Sequence, residues 1–227
     1  MTATERQFVD ALLSAYGEGV FPMSEPGGGV YWYDPDPRGV IPLGDGALRI
    51  TRSLRRSLRS PRLRITTDRA FGAVIRACAE ARAGQAGSWI DGRIVRAYEA
   101  LHRAGHAHSV EAWLTAGDAG GGPGVTGGGN GGVLVGGLYG VHLRGLFAGE
   151  SMFSRPDLGG TDASKVCLVH LWRHLRTRGF TLLDTQFLTP HLASLGGVEI
   201  PRAEYRRRLG GAMRVETAWA PFEAIAG

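Results

Sequence analysis

Three side chains in this chain of 227 residues could hold or move a proton beside one another: Glu150, Asp184 and Gln186. Glu150 follows Phe147-Ala148-Gly149 at the end of an apolar strand and is flanked by Met152 and Phe153. A carboxylate in that setting reads as a pocket group more than as a wet strand end. Asp184 ends the short apolar strand Phe180–Leu183, and Gln186 lies two residues on. Positions two apart in an extended chain face the same side, so carboxylate and amide can hydrogen-bond or share a ligand. Asp184 could orient an attacking amine and take its proton, with Gln186 fixing the carboxylate or the substrate. The plainer reading of Asp184 is a loop residue capping a turn.

A second chemistry is electrostatic. Arg52, Arg55, Arg56 and Arg59 are three or four apart and share one helix face, with Arg49 just before them. That is a phosphate-reading surface by charge, or else a solvated face. The formal net charge of +5 makes an acidic or nucleic-acid partner plausible. Lys165 is the only lysine, which suggests a place that wants a compact ammonium rather than a planar fork. Trp32, with Tyr33, and Trp89 sit beside turns, where an aromatic ring can stack on a base or pack at an interface.

Other chemistries find little support. His106 and His108 have no Cys or acidic partner at ligand spacing. The tract Gly117–Gly132 has no following Gly-Lys-Ser/Thr and precedes a strand, so it is neither a Walker loop nor a dinucleotide fingerprint. Ser151 lacks a nucleophile elbow. Cys78 and Cys167 lie in helical patterns without metal spacing and read as core thiols of a reducing compartment. No apolar run is long enough to span a bilayer, and Met1–Arg6 lacks a signal-peptide pattern, so a cytoplasmic protein is expected.

The elements that must position these groups follow from periodicity. Helices are predicted over residues 5–16, Arg52–Arg59, Phe71–Cys78, Ile94–Leu101, Ala163–Leu175 and from Pro201 through Leu209. Thr161 or Asp162 is expected to cap the fifth of these, and Gly179 to end it. Strands are predicted at Val30–Tyr33, Arg64–Thr67, Ser109–Leu114 (which alternates), from Val133 through Val141, from Gly145 into Glu150, and at Phe180–Leu183. Residues 17–29 are read as irregular because of their glycines and prolines. The glycine tract reads as a flexible insertion. The class is α/β or α+β, with a boundary near Pro61 dividing a small N-terminal domain (residues 1–62) from a larger one (63–227).

Taken together, the segments resemble the leucyl/phenylalanyl-tRNA–protein transferase family. The matching stretches include Ala15-Tyr16 with Gly19-Val20-Phe21-Pro22, then Trp32 through Arg38, Ser88-Trp89-Ile90, and Gly105 through Trp113. They continue with Gly136 through Val141, Leu146 through Ser154, Ala163-Ser164-Lys165, Leu183-Asp184-Thr185-Gln186 and Ser194-Leu195-Gly196. The matches span nearly the whole chain, and Glu-Ser-Met-Phe-Ser together with Asp-x-Gln is the most specific part.

The resemblance implies an acetyltransferase-like (GNAT-type) C-terminal domain. It implies transfer of Leu or Phe, with Met as a further candidate, from aminoacyl-tRNA to proteins beginning with Arg or Lys, marking them for degradation. Asp184 and Gln186 would be catalytic. Glu150, with Trp32 and Trp89, would hold the aminoacyl-adenosine end, and Leu138, Phe147, Leu168, Leu171 and Leu183 match the family's side-chain pocket. Arg49, Arg52, Arg55, Arg56 and Arg59 would hold tRNA phosphates. No cofactor or metal is expected, and a monomer is. The chain departs from the family at Met23 (usually Trp), Thr185 (usually Cys), two extra residues near Gly159-Gly160, the glycine tract, and a start at the first helix.

Two rival readings remain at the level of sequence. Arg207-Arg208-Leu209-Gly210-Gly211-Ala212 fits the loose phosphate-loop pattern of acyl-CoA-dependent N-acetyltransferases. The arginine face alone would suit a non-catalytic RNA-binding module.

Overall fold

The computed structural model describes residues 2–25, 28–82, 89–115 and 132–225. Seven helices are described: α1 (Ala3–Gly17), α2 (Arg52–Leu58), α3 (Phe71–Arg82), α4 (Gly92–Arg103), α5 (Ala163–Thr177), α6 (Pro190–Ser194) and α7 (Arg202–Ala212). The strands are β1 (Phe21–Ser24), β2 (Val30–Tyr33), β3 (Arg38–Ile41), β4 (Leu63–Thr67), β5 (Ala107–Leu114), β6 (Val133–Leu143), β7 (Leu146–Ser154), β8 (Leu182–Gln186), β9 (Val198–Ile200) and β10 (Ala224–Ile225). β1 and β2 form a hairpin; the other eight make one sheet in the order β10-β4-β5-β6-β7-β8-β3-β9. The class is mixed α/β, as expected.

Local signals explain most starts and stops. Thr2 and Glu5 form a reciprocal capping box on α1. Asp91 accepts from two first-turn amides of α4. Gly179, at φ 79°, turns the chain after α5. The cap of α5 differs from expectation. Asp162 is left-handed, makes no side-chain cap, and pairs with Lys165 at 2.7 Å. Ser154, at the end of β7, accepts from the Ser164 amide at 2.9 Å instead, so the strand itself satisfies a first-turn donor.

β5 is buried at all eight positions, because α3 and α4 cover one face and α5 the other. The packing also corrects two strand readings. Phe21–Ser24, read as irregular, is a strand; in a two-stranded edge hairpin Pro22 costs little. β7 continues to Ser154 and β8 to Gln186, so Glu150 and Asp184 lie within strands rather than at their ends. The glycine tract expectation, for residues 117–132, lies outside the described residues except at Gly132.

The boundary near Pro61 does not separate two cores. β3 pairs with β8 on one side and β9 on the other. Ile41, Leu54 and Leu58 share one buried cluster with Ile65, Val110 and Leu183. A strand bonded on both edges cannot belong to a detached domain.

β7 and β8 are the one parallel pair among the described strands, and α5 makes the crossover between them. Gly136 lets α5 approach β6 closely: a Cβ there would clash with Ala163 Cβ.

Candidate functional site

Two bulges and one parting of strands create the site. Along β6 and β7, Tyr139 pairs with Ser151 and Gly140 with Gly149, which leaves Glu150 without a partner across the ladder. Along β3 and β8, Gly39 pairs with Gln186 and Val40 with Asp184, which leaves Thr185 unpartnered in the same way. Such extra residues bend a strand and re-aim its side chains. β7 and β8 pair from Leu146 and Leu182 only as far as Ala148 and Asp184, and beyond that point the pairing ends. The crevice lies past the last parallel pair, between the carboxyl-terminal halves of the two strands, the usual side for a ligand in an open sheet.

The crevice is a cavity of about 580 Å³, ample for a small ligand. Leu138, Leu168, Leu171 and Leu183 give it an apolar floor, and Trp89, Met23 and Phe187 stand on its walls. Among the described residues that line it, Glu150 is the only carboxylate, with Gln186, Ser164 and His191 among the polar groups around it. Of the residues expected to bind the aminoacyl-adenosine end, Glu150, Trp89, Leu138, Leu168, Leu171 and Leu183 therefore meet here. Two do not. Phe147 is fully buried with its ring stacked on Trp219, and Trp32 is half exposed on the β1–β2 hairpin.

Glu150 is held by a cage of donors. Tyr16 Oη donates to Oε1 at 2.7 Å, Tyr98 Oη to Oε2 at 2.9 Å, and Gln186 Nε2 to Oε1 at 3.1 Å. The two tyrosine hydroxyls also touch each other. Burial pushes the Glu150 carboxyl up to about 7, against the pull of the two tyrosine hydrogen bonds. Burial, and then the Glu150 charge, push both phenols well above their ordinary value, so they remain neutral donors. A carboxyl poised near neutrality above an apolar floor can anchor an amine or a hydroxyl while the floor takes a hydrophobic side chain.

Asp184 sits on the other side of Gln186 and is completely buried. It accepts from Arg38 Nε at 2.9 Å, Arg38 Nη2 at 2.6 Å, Tyr205 Oη at 2.9 Å and the Gln186 amide at 2.9 Å. Arg38 also donates to the Gly19 carbonyl at 2.8 Å and lies over the rings of Phe21 and Tyr205. Burial opposes the Arg38 charge, yet Asp184 holds the guanidinium above its ordinary value.

This corrects the expected carboxylate–amide pairing. Gln186 has a positive φ of 59°, which swings its side chain to Glu150 while its backbone amide faces Asp184. The two carboxylates are thus joined through one residue, and Asp184 reaches the cavity only by way of Gln186. Sequence reasoning missed Arg38, Tyr16, Tyr98 and Tyr205. Tyr16 and Tyr98 lie at apolar helical positions and read as core; the available signal was that a buried phenol needs a partner.

Four of the five arginines share one face. Leu54 and Leu58 bury one side of α2, and Arg52, Arg55, Arg56 and Arg59 line a surface depression on the other. None of the four has an acidic partner among the described residues. Arg49 is exposed on the segment before α2, outside that depression.

Other groups are accounted for structurally. Cys78 and Cys167 are buried free thiols. His108 bonds Asp68 at 2.9 Å and stacks on Trp219, and no group of three or more potential ligands could hold a metal among the described residues. Arg207–Ala212 lies inside α7, so it is not a loop joining a strand to a helix, which removes the phosphate-loop reading. No helix among the described residues is long and apolar enough to cross a membrane.

Comparison with known proteins identifies the family. Residues 40–210 match the family model described as leucyl/phenylalanyl-tRNA protein transferase, and residues 9–36 match the model of its N-terminal domain. The chain is 48% identical over 212 residues to the leucyl/phenylalanyl-tRNA–protein transferase of Gluconobacter oxydans, covering 92% of this chain and 84% of that protein. It is 49% identical over 212 residues to the protein of the same name from Paramagnetospirillum magneticum, covering 92% and 90%. A solved tandem GNAT protein from the clavulanic acid biosynthesis pathway aligns at a TM-score of 0.37 and 15% identity, over 92% of this chain and 63% of that one. A likeness that weak bears on neither the site nor its chemistry.

Proposed function

The chain belongs to the leucyl/phenylalanyl-tRNA protein transferase family, and from that premise we propose that it moves Leu or Phe from aminoacyl-tRNA onto the N-terminal Arg or Lys of acceptor proteins. The reading places it in the cytoplasm, beside charged tRNA, acting as a single chain that marks its acceptors for degradation. The observation that carries it is the caged Glu150 above a floor of leucines, in a cleft bordered by Gln186.

The aminoacyl ester already stores the energy of the reaction. The acceptor's α-amine nitrogen bonds to the ester carbonyl carbon, the bond from that carbon to the adenosine oxygen breaks, and the amine's proton ends on the departing hydroxyl. An α-amine with an ordinary pKa of about 7.7–8.0 needs little help to be neutral near pH 7, so positioning supplies most of the rate.

Leu138, Leu168, Leu171 and Leu183 would take the aminoacyl side chain. Rejection of a β-branched side chain by shape would be worth about 1–3 kcal/mol. Glu150 would accept from the aminoacyl-adenosine end, and Trp89 would pack against it. With Gln186 Nε2 committed to Glu150, Gln186 Oε1 is the acceptor left for the attacking amine. Asp184, bonded to the Gln186 amide, acts as a positioning residue and not as the base itself. Arg52, Arg55, Arg56 and Arg59 would grip acceptor-stem phosphates.

Incubation with labelled Leu-tRNA or Phe-tRNA and peptides differing only in their first residue tests this directly. Label is expected on Arg- and Lys-first peptides. Acetyl-CoA consumption with no label transfer would reverse the conclusion.

A further inference from the structure

Among the described residues of this arginine-rich chain, almost every carboxylate is engaged by a cation or a hydrogen-bond donor. Asp10, Glu18, Asp157 and Glu199 have no side-chain partner among the described residues. Asp10 and Glu18 lie on α1 and at its end, and Asp157 lies in the 3-10 turn before α5. Glu199 is different: it lies on β9, the edge strand of the sheet, in register with the reaction site.

The register is direct. Gly39 of β3 pairs with Gln186 on one side and with Glu199 on the other. Two strand spacings put the Cα atoms of Gln186 and Glu199 about 10 Å apart. Glu199, directly opposite Gly39 in the regular β3–β9 pair, projects from the face on which a Gly39 side chain would stand. Gly39 carries no side chain to block the way, and a Cβ there would meet Phe187 C and Leu188 N at 2.8 Å. The turn that leaves Gln186 therefore runs over this face between Gln186 and Glu199. Its Phe187 lines the cavity and is 45% exposed. Its Leu188 reaches Gly197, two residues before Glu199.

We propose that Glu199, with the ring of Phe187, reads the positive charge on the first side chain of the acceptor. This rests on the proposed transfer to Arg- or Lys-first proteins and adds the group that selects them. With the α-amine at Gln186, an extended Arg or Lys side chain lies across Phe187 and ends at the Glu199 carboxylate. The ring receives the methylene stem and the face of the cation, and the carboxylate receives its N–H groups. A neutral first residue gains neither contact.

The experiment compares Arg-, Lys- and Ala-first peptides, with Phe-tRNA as donor, in the unaltered chain and in Glu199→Gln, Glu199→Asp and Phe187→Leu. Glu199→Gln is expected to lower kcat/KM for the Arg-first peptide about five- to tenfold through peptide KM, and to leave KM for Phe-tRNA within twofold. The preference for Arg over Ala should shrink by the same factor, and Glu199→Asp should restore part of it. Phe187→Leu should weaken the Arg-first peptide more than the Ala-first one. Normal transfer by Glu199→Gln with an unchanged Arg-to-Ala preference overturns this inference alone. Absence of transfer by the unaltered chain overturns the functional reading and this inference with it.

Discussion

Glu150 carries a cost that pH can expose. Its carboxyl stands at about 7 against an ordinary 4.5, chiefly because it is buried. Between those values the folded chain holds a proton that the unfolded chain has released, so stability falls as pH rises through this window. A rise of that size amounts to about 3 kcal/mol once the group is ionised. Glu150→Gln removes the ionised form while keeping a side chain that Tyr16 and Tyr98 can bond. The urea unfolding free energy of the variant should lose the slope between pH 5 and 7, and at pH 8 it should exceed that of the unaltered chain by about 1–3 kcal/mol. Transfer should drop at least tenfold at every pH. A variant that keeps the original slope would show that another group titrates there. The types Glu150, Asp184 and Gln186 were legible in the sequence because acids and amides inside apolar runs are unusual. Their wiring was not. Period-two logic put Asp184 and Gln186 side by side, whereas the bulge at Thr185 and the positive φ of Gln186 turn them apart.

At the scale of elements, Arg38 is the fastener. From β3 it bonds Asp184 of β8, the Gly19 carbonyl after α1 and, at 3.3 Å, Tyr205 of α7. Both partners of the ion pair are buried, at 1% and 0% exposure. Removing one leaves the other charged and unpaired, which costs about 3–5 kcal/mol, whereas replacing both by apolar groups is often close to neutral. Arg38→Met is thus expected to lose about 3–5 kcal/mol in urea unfolding, and Arg38→Met with Asp184→Leu to regain most of it. The double variant should still fail to transfer, because the Gln186 amide then has no carboxylate to hold it. A double variant that is stable and fully active would mean that Asp184 serves only the fold. The same strand explains which elements could be read in advance. Helices with periodic apolar positions, such as those of α4 and α5, were visible within a few residues of their ends. β3 was not, because four residues after a proline-rich turn carry no period; only long-range pairing to β8 and β9 makes them a strand. The boundary near Pro61 failed for that reason, since composition marks a break in the chain but not in the packing.

Over the whole molecule, charge is sorted rather than spread. The net charge is +5, yet many arginines are matched: Arg202 and Arg206 to Asp34, Arg207 and Arg208 to Glu204, Arg155 to Glu80. Arg52, Arg55, Arg56 and Arg59 are without acids among the described residues and stand together at α2, whereas other arginines without an acid, such as Arg6, Arg96 and Arg214, are scattered. α2 packs on α5, and α5 supplies Leu168 and Leu171 to the cavity floor. A tRNA acceptor stem lying on α2 could thus bring its aminoacylated end into the cleft across a single helix. Each phosphate neutralised contributes about 0.7–0.9 to the slope of log binding constant against log salt. Changing all four arginines to Gln should flatten that slope by about 3 and raise KM for aminoacyl-tRNA strongly. Leu54 and Leu58 remain in the core, so the unfolding midpoint should hold within about 0.5 kcal/mol. A minimal donor, phenylalanyl-adenosine without the stem, should be used as well by this variant as by the unaltered chain. Equal losses with the full tRNA and the minimal donor would move the tRNA contact away from α2.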